Sequence, residues 1–147
     1  MTTHEDYLEG ETIAYLIDFV DPRTGKIRFR VYYQDAPSDG AFGTIPPEAL
    51  SEHSVDLALL CVGNWNTVEN HDSDLIINNL RPQEVILGHW EDFFRPQDKG
   101  LRPAPAQSVR KFQRLIEARM KEIGKGGDHV TLPAPQVLKV FNIAEGA

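Results

Sequence analysis

A single cysteine, Cys61, is all the thiol that the 147-residue chain contains. That scarcity excludes an internal disulfide framework and suits a reducing compartment. Its setting, "LALLCVG", favours a packed, inert thiol over a reactive one. No apolar stretch approaches the ~20 residues needed to span a membrane. The N-terminal "MTTHEDYLEGE" has neither a basic region nor an apolar core, so no signal peptide is read there and a cytoplasmic location is expected. Positive charge is also in deficit: 15 Lys and Arg against 22 Asp and Glu leave a net charge of −7. That balance argues against a nucleic-acid or anionic-membrane partner held by bulk electrostatics.

Familiar catalytic signatures are missing too. "GKGGDH" follows a helix rather than opening one, so it is no phosphate cradle. The chain has no Cys-x-x-Cys pair, no glycine-flanked nucleophilic serine and no His-x-Glu-x-x-His.

What is present describes an ordinary soluble domain, 41% hydrophobic and 25% charged, long enough for one core. "ETIAYLIDFV" and "IRFRVYYQD" flank the turn signal "DPRTGK" and read as an antiparallel hairpin. The second of these alternates apolar and basic residues, the pattern of a strand with one wetter face. "VDLALLCVG" and "EVILGH" are short, solidly apolar runs, expected as strands buried on both faces. Pro46 and Pro47 suit the start of a short helix, and Asp72 or Ser73 can cap another through "LIINNL". The clearest helix is predicted over 108–123, where Val109, Phe112, Leu115, Ile116, Met120 and Ile123 recur at helical spacing. "VTLP" and "QVLKVF" are expected as final strands. The plan is α/β in one domain, 1–147, with a mixed sheet that calls for cover on both faces.

Chemistry-bearing residues gather at strand ends. Asp35 directly follows "RVYYQ", His89 directly follows "VILG", and Asn64 and Trp65 follow "CVG". In open α/β sheets ligands collect outside the carboxyl ends of strands, which makes Asn64 and Trp65 candidate substrate-rim residues. An imidazole and a carboxylate on such a rim can hold zinc or iron. Each has a bland reading beside it. His89 can be a polar cap on a buried strand, and Asp35 a turn aspartate bonding its own backbone. Within "WEDFF", Trp90, Phe93 and Phe94 are expected to pack, and Glu91 and Asp92 suit a helix's first turn. "HDSD" at 71–74 is explained by a helix start, and His53 and His129 read as surface residues.

Taken together, "IRFRVYYQDAPSD", "SVDLALLCVGNW" and "LRPQEVILGHWEDFF" resemble the C-terminal half of the metallo-β-lactamase superfamily. The resemblance covers roughly residues 10–123. It implies half of a four-layer αβ/βα sandwich with helices on one face of the sheet. Asp35 matches the family's bridging aspartate, the expected catalytic residue, and His89 matches the last histidine ligand. His4, ahead of the first strand, matches the middle histidine. The implied cofactor is a divalent metal, zinc first, with iron or manganese as alternatives. The implied activity is hydrolysis of an ester, amide or phosphodiester by a metal-bound hydroxide. The family's main motif, His-x-His-x-Asp-His, is not in this chain, whose histidines stand at positions 4, 53, 71, 89 and 129. The expected site is therefore incomplete. A second expectation follows: a non-catalytic half-domain that self-associates, or pairs with a separate N-terminal half, through an apolar sheet face.

Overall fold

The computed structural model describes residues 13–37, 43–66, 73–105 and 107–133, with Phe141. The elements run β1 (Ala14–Val20), β2 (Ile27–Gln34), α1 (Pro47–Ser51), β3 (Leu57–Cys61), α2 (Ser73–Leu80), β4 (Glu84–Gly88), α3 (Val109–Glu122) and β5 (Val130–Thr131). They form an α/β fold on one five-stranded mixed sheet of order β1-β2-β3-β4-β5. His4, His71 and Asp72 lie outside the described residues, as does all of "QVLKVF" except Phe141.

The hairpin forms as its turn chemistry dictates. Asp21 accepts the backbone N–H groups of Arg23 (2.8 Å) and Thr24 (3.2 Å) on Oδ1. Gly25 takes the left-handed conformation (φ 71°) that closes the loop. β1 then pairs antiparallel with β2 from Ala14↔Gln34 to Val20↔Ile27. From β2 onward each strand lies parallel to its predecessor, joined through α1, α2 and α3 in turn. Parallel crossovers share one hand, so a sheet laid down in strict sequence order receives its helices on one face.

Side-chain parity agrees. Tyr32, Ala58, Leu60, Val85, Leu87 and Val130 join Ile76, Ile77 and Leu80 of α2 and Phe112, Ile116 and Met120 of α3 in one buried core. The α3 stripe is the one its periodicity predicts. The helix ends at Gly124 (φ 88°), where Lys125 N–H donates to Met120 O (2.8 Å) and Gly124 N–H to Lys121 O (3.0 Å). This is the paired-bond stop that glycine permits.

The other face carries Val31, Tyr33, Leu57, Leu59, Cys61 and Ile86, the register partners of one another or their alternates. The apolar-on-both-faces pattern of β3 is thus real. On β1 the same face presents Tyr15, Ile17 and Phe19, which are 49%, 44% and 53% exposed.

One strand reading is corrected. The basic alternation of β2 does not mark a wet face, because Arg30 is only 3% exposed. Its guanidinium binds Asp18 of β1 through both carboxylate oxygens (2.6 and 2.9 Å) and donates to the Ala49 and His53 carbonyls. Asp56 Oδ2 accepts Arg30 N–H (2.8 Å) and contacts His53 Nε2 (2.8 Å). The charge is buried because α1 and the segment after it close over it, with each guanidinium nitrogen hydrogen-bonded.

Candidate functional site

Three strand ends converge on one rim. Asp35 follows β2, Cys61 ends β3, and His89 follows β4 after Gly88. Parallel register aligns these ends, since Cys61 pairs with Gly88 and Tyr33 with Leu59. His89 Nδ1 lies 3.1 Å from the backbone carbonyl of Asp35 and 3.4 Å from Cys61 Sγ. The arrangement that satisfies these groups protonates Nδ1, which donates to the carbonyl, while the thiol donates to Gly63 O at 3.7 Å. The Nε2 lone pair is then the ring's available ligand position.

The Asp35 side chain is exposed, and its Oδ1 accepts a 2.7 Å hydrogen bond from the Tyr33 hydroxyl. That bond, with the carboxylate's charge, holds the Tyr33 phenol above its ordinary range. Burial pushes the Cys61 thiol up to about 11, so it stays protonated and inert.

The rim backbone is unusual. His89 (φ 55°) and Asn64 (φ 58°) both adopt the left-handed conformation, which a non-glycine residue enters at some cost. Each follows a glycine and precedes a tryptophan: Gly63-Asn64-Trp65 and Gly88-His89-Trp90. In both, the middle residue lines the same cavity while the tryptophan is buried, 5% exposed for Trp65 and 8% for Trp90. Trp65 therefore does not stand on the substrate rim. Its ring packs 5.3 Å from Phe112 and under Lys111. A repeated Gly-x-Trp after an apolar strand was the signal available in the sequence.

Gly63 sits against His89. A Cβ there would lie 3.3 Å from His89 O and 3.4 Å from Cys61 Sγ. Gln107, unnoticed in the sequence, secures the other turn. Oriented with its amide nitrogen toward Val62 O (3.1 Å) and its oxygen toward Asn64 N (3.2 Å), it satisfies both.

The "WEDFF" segment departs from expectation twice. No helix begins there, and its acids serve a tight turn. Glu91 accepts Trp90 N–H (2.9 Å), while Asp92 binds the Arg102 guanidinium (2.7 and 3.0 Å) and Phe94 N–H (3.1 Å). The Arg102 contact holds the Asp92 carboxyl below its usual range. Phe93 and Phe94 do not pack into the core but stand 65% and 98% exposed, with the Phe93 ring 5.1 Å from the His89 ring and tilted 52° to it. A cavity of about 210 Å³ opens between them and the rim, lined also by Pro37, Cys61, Asn64 and Pro105.

His53 and His129 are half-buried partners of Asp56 (2.8 Å) and Glu84 (3.0 Å), away from this cavity. Asp35 and His89 supply one carboxylate and one imidazole, chemically suited to a divalent metal. Among the described residues no group of three or more His, Cys, Asp or Glu is placed to hold one. Two such residues fall short of the three or four protein ligands that a zinc site draws. Among the described residues no helix is long and apolar enough to cross a membrane.

No family model, curated protein or solved structure matches this chain.

Proposed function

We propose that this chain is the C-terminal portion of a metal-dependent hydrolase of the metallo-β-lactamase fold, in which His89 and Asp35 are metal ligands. The observation that carries the reading is the 3.1 Å contact between His89 Nδ1 and the Asp35 carbonyl. A backbone carbonyl on one imidazole nitrogen orients the ring and makes the other nitrogen the donor, as is usual for metal-binding histidines. The neighbouring carboxylate belongs to the same rim, and one helix-covered sheet suits one α layer and one β layer of a four-layer sandwich. The chemistry such an ion supplies is acidification of water and polarisation of a substrate oxygen. The chain's own part is to hold the imidazole in one tautomer and to aim the carboxylate through Tyr33.

The test is metal content after incubation of the purified chain with zinc, iron(II) or manganese and exhaustive dialysis. Wild type is expected to retain metal, and His89→Ala and Asp35→Asn to lose it. Equal retention in both variants, or none in wild type, sinks the reading.

A second reading, a non-catalytic half-domain, is favoured by the exposed Tyr15, Ile17 and Phe19 on one face of β1. A contiguous exposed apolar face marks an association surface, either for a second copy or for a separate N-terminal half. Light scattering separates the cases. A dimer dispersed by Ile17→Lys, with no metal retained, favours this reading, and a wild-type monomer rejects self-association.

A further inference from the structure

We infer that Phe93 and Phe94 form a fixed aromatic lip that receives an uncharged, apolar group of a small-molecule ligand beside His89. The inference rests on the His89 rim being the reaction site, and it narrows the substrate class.

Exposure of a phenylalanine is by itself unremarkable, but this pair is held out by structure rather than left loose. Asp92 N–H donates to Arg102 O (3.0 Å), Ala104 N–H to Trp90 O (2.9 Å), and Glu91 bridges Pro103. The Arg95 guanidinium closes the far end on the Lys99 and Gly100 carbonyls. Trp90 anchors the near end in the core. These ties hold the turn's backbone with the two rings outside the core. Large apolar groups fixed in water beside a concavity signify a binding surface.

The cavity says what kind. At about 210 Å³ it is smaller than the ~300–1,000 Å³ of a drug-sized pocket, so it takes one ring or a short acyl chain rather than a whole ligand. Its walls are apolar on the Phe93, Phe94, Pro37 and Pro105 side. Among the described residues lining it there is no Lys or Arg, and the two charged ones, Glu91 and Asp92, are acids. Of the turn's arginines, Arg102 is engaged by Asp92, and the Arg95 guanidinium by the Lys99 and Gly100 carbonyls. A phosphate or carboxylate seated between the rings would meet the Glu91 carboxylate with no lysine or arginine of the lining to offset it, which disfavours it. Of the ester, amide and phosphodiester options, the lip suits a neutral ester or amide whose apolar side enters the cavity.

The experiment uses the full chain and the uncharged fluorophore N-phenyl-1-naphthylamine. 1-Naphthol serves as neutral competitor and 1-naphthyl phosphate as anionic competitor. Phe93→Ala and Phe94→Ala are expected to weaken probe binding about tenfold each, the scale of one lost aromatic contact. Phe94→Leu should recover most of the loss, Ile17→Ser on the exposed side of β1 should leave binding unchanged, and 1-naphthol should displace the probe where 1-naphthyl phosphate does not. The inference is overturned by unchanged binding in both alanine variants, by loss confined to Ile17→Ser, or by preferential displacement by the phosphate. It is also overturned if Phe94→Ala acts by dissociating an oligomer in light scattering, since the lip then covers protein. A chain that retains no metal yet binds 1-naphthol through both phenylalanines upholds the lip and removes only the hydrolase reading.

Discussion

His89 Nδ1 and the backbone carbonyl of Asp35 lie 3.1 Å apart across two strand ends, although 54 residues separate them in the chain. The contact exists because β2, β3 and β4 are parallel and in register, so their carboxyl ends reach the rim together. It ties the orientation of the imidazole to the backbone of a neighbouring strand rather than to its own loop. Disturbing what lies between those ends should therefore disturb the histidine.

Gly63→Ala is the sharpest such disturbance. The added methyl group would press on the His89 carbonyl oxygen at 3.3 Å and on Cys61 Sγ at 3.4 Å. Overpacking of this kind costs about 1–3 kcal/mol. Urea denaturation should show the loss, and the His89 ring resonances should shift in nitrogen-15 spectra. A variant of wild-type stability with unmoved His89 resonances would contradict the geometry.

Cys61 should be slow to react. Its thiol is pushed from the ordinary 9.0 to about 11 by burial. At pH 8 that shift alone lowers the thiolate fraction, and with it the rate of attack on a disulfide reagent, by about a hundredfold. Ellman's reagent compared on folded and urea-unfolded chain measures this, and a folded rate within about tenfold of the unfolded one would refute it.

Arg30→Met should destabilise strongly despite its distance from the rim. The change leaves Asp18, itself exposed, without its partner and the Ala49 and His53 carbonyls without their donor, and orphaned acceptors of this kind cost about 1–3 kcal/mol. The pH dependence has a definite sign. The Arg30 hydrogen bond lowers the Asp18 carboxyl below its usual 3.8. The stability it contributes is thus present above that value and is lost as pH falls through the lower, folded-state value. The gap between wild type and variant should be widest near neutrality and narrow in acid. A gap independent of pH would show that Asp18 is not the partner that matters.

Tyr33 should titrate above the ordinary phenol range, because its proton sits between the phenol and the Asp35 carboxylate. A raised value means that its contribution to stability holds below the ordinary 10.0 and disappears as pH rises through the folded value. Ultraviolet titration of Asp35→Asn should show one phenol moving down relative to wild type. No movement would mean that the bond does not persist in solution.

Much of the scaffold is legible in the residues alone. The 3.6-residue stripe of α3, the Asp-Pro-Arg-Thr-Gly turn and the apolar runs of β3 and β4 are local patterns, and local patterns survive into the fold because backbone geometry sets their period. The strand-end positions of Asp35 and His89 follow from where those runs stop. Alternation alone could not say which parity of β2 faces the helices. Arg30 therefore read as wet until α1 was seen to close over it. The same blindness placed Trp65 on the rim, where a left-handed Asn64 in fact turns it into the core.

The sequence by itself determined the element types, the α/β plan and the two strand ends that carry an imidazole and a carboxylate. Only the tertiary structure decided that those ends meet and that Cys61 and Gly63 stand between them. It also decided that Phe93 and Phe94 face the cavity rather than the core. The physical reason is range. Hydrophobic period and turn chemistry act over a few residues, whereas the His89–Asp35 contact and the pinned aromatic turn depend on parallel register and on hydrogen bonds that close only when distant segments are packed.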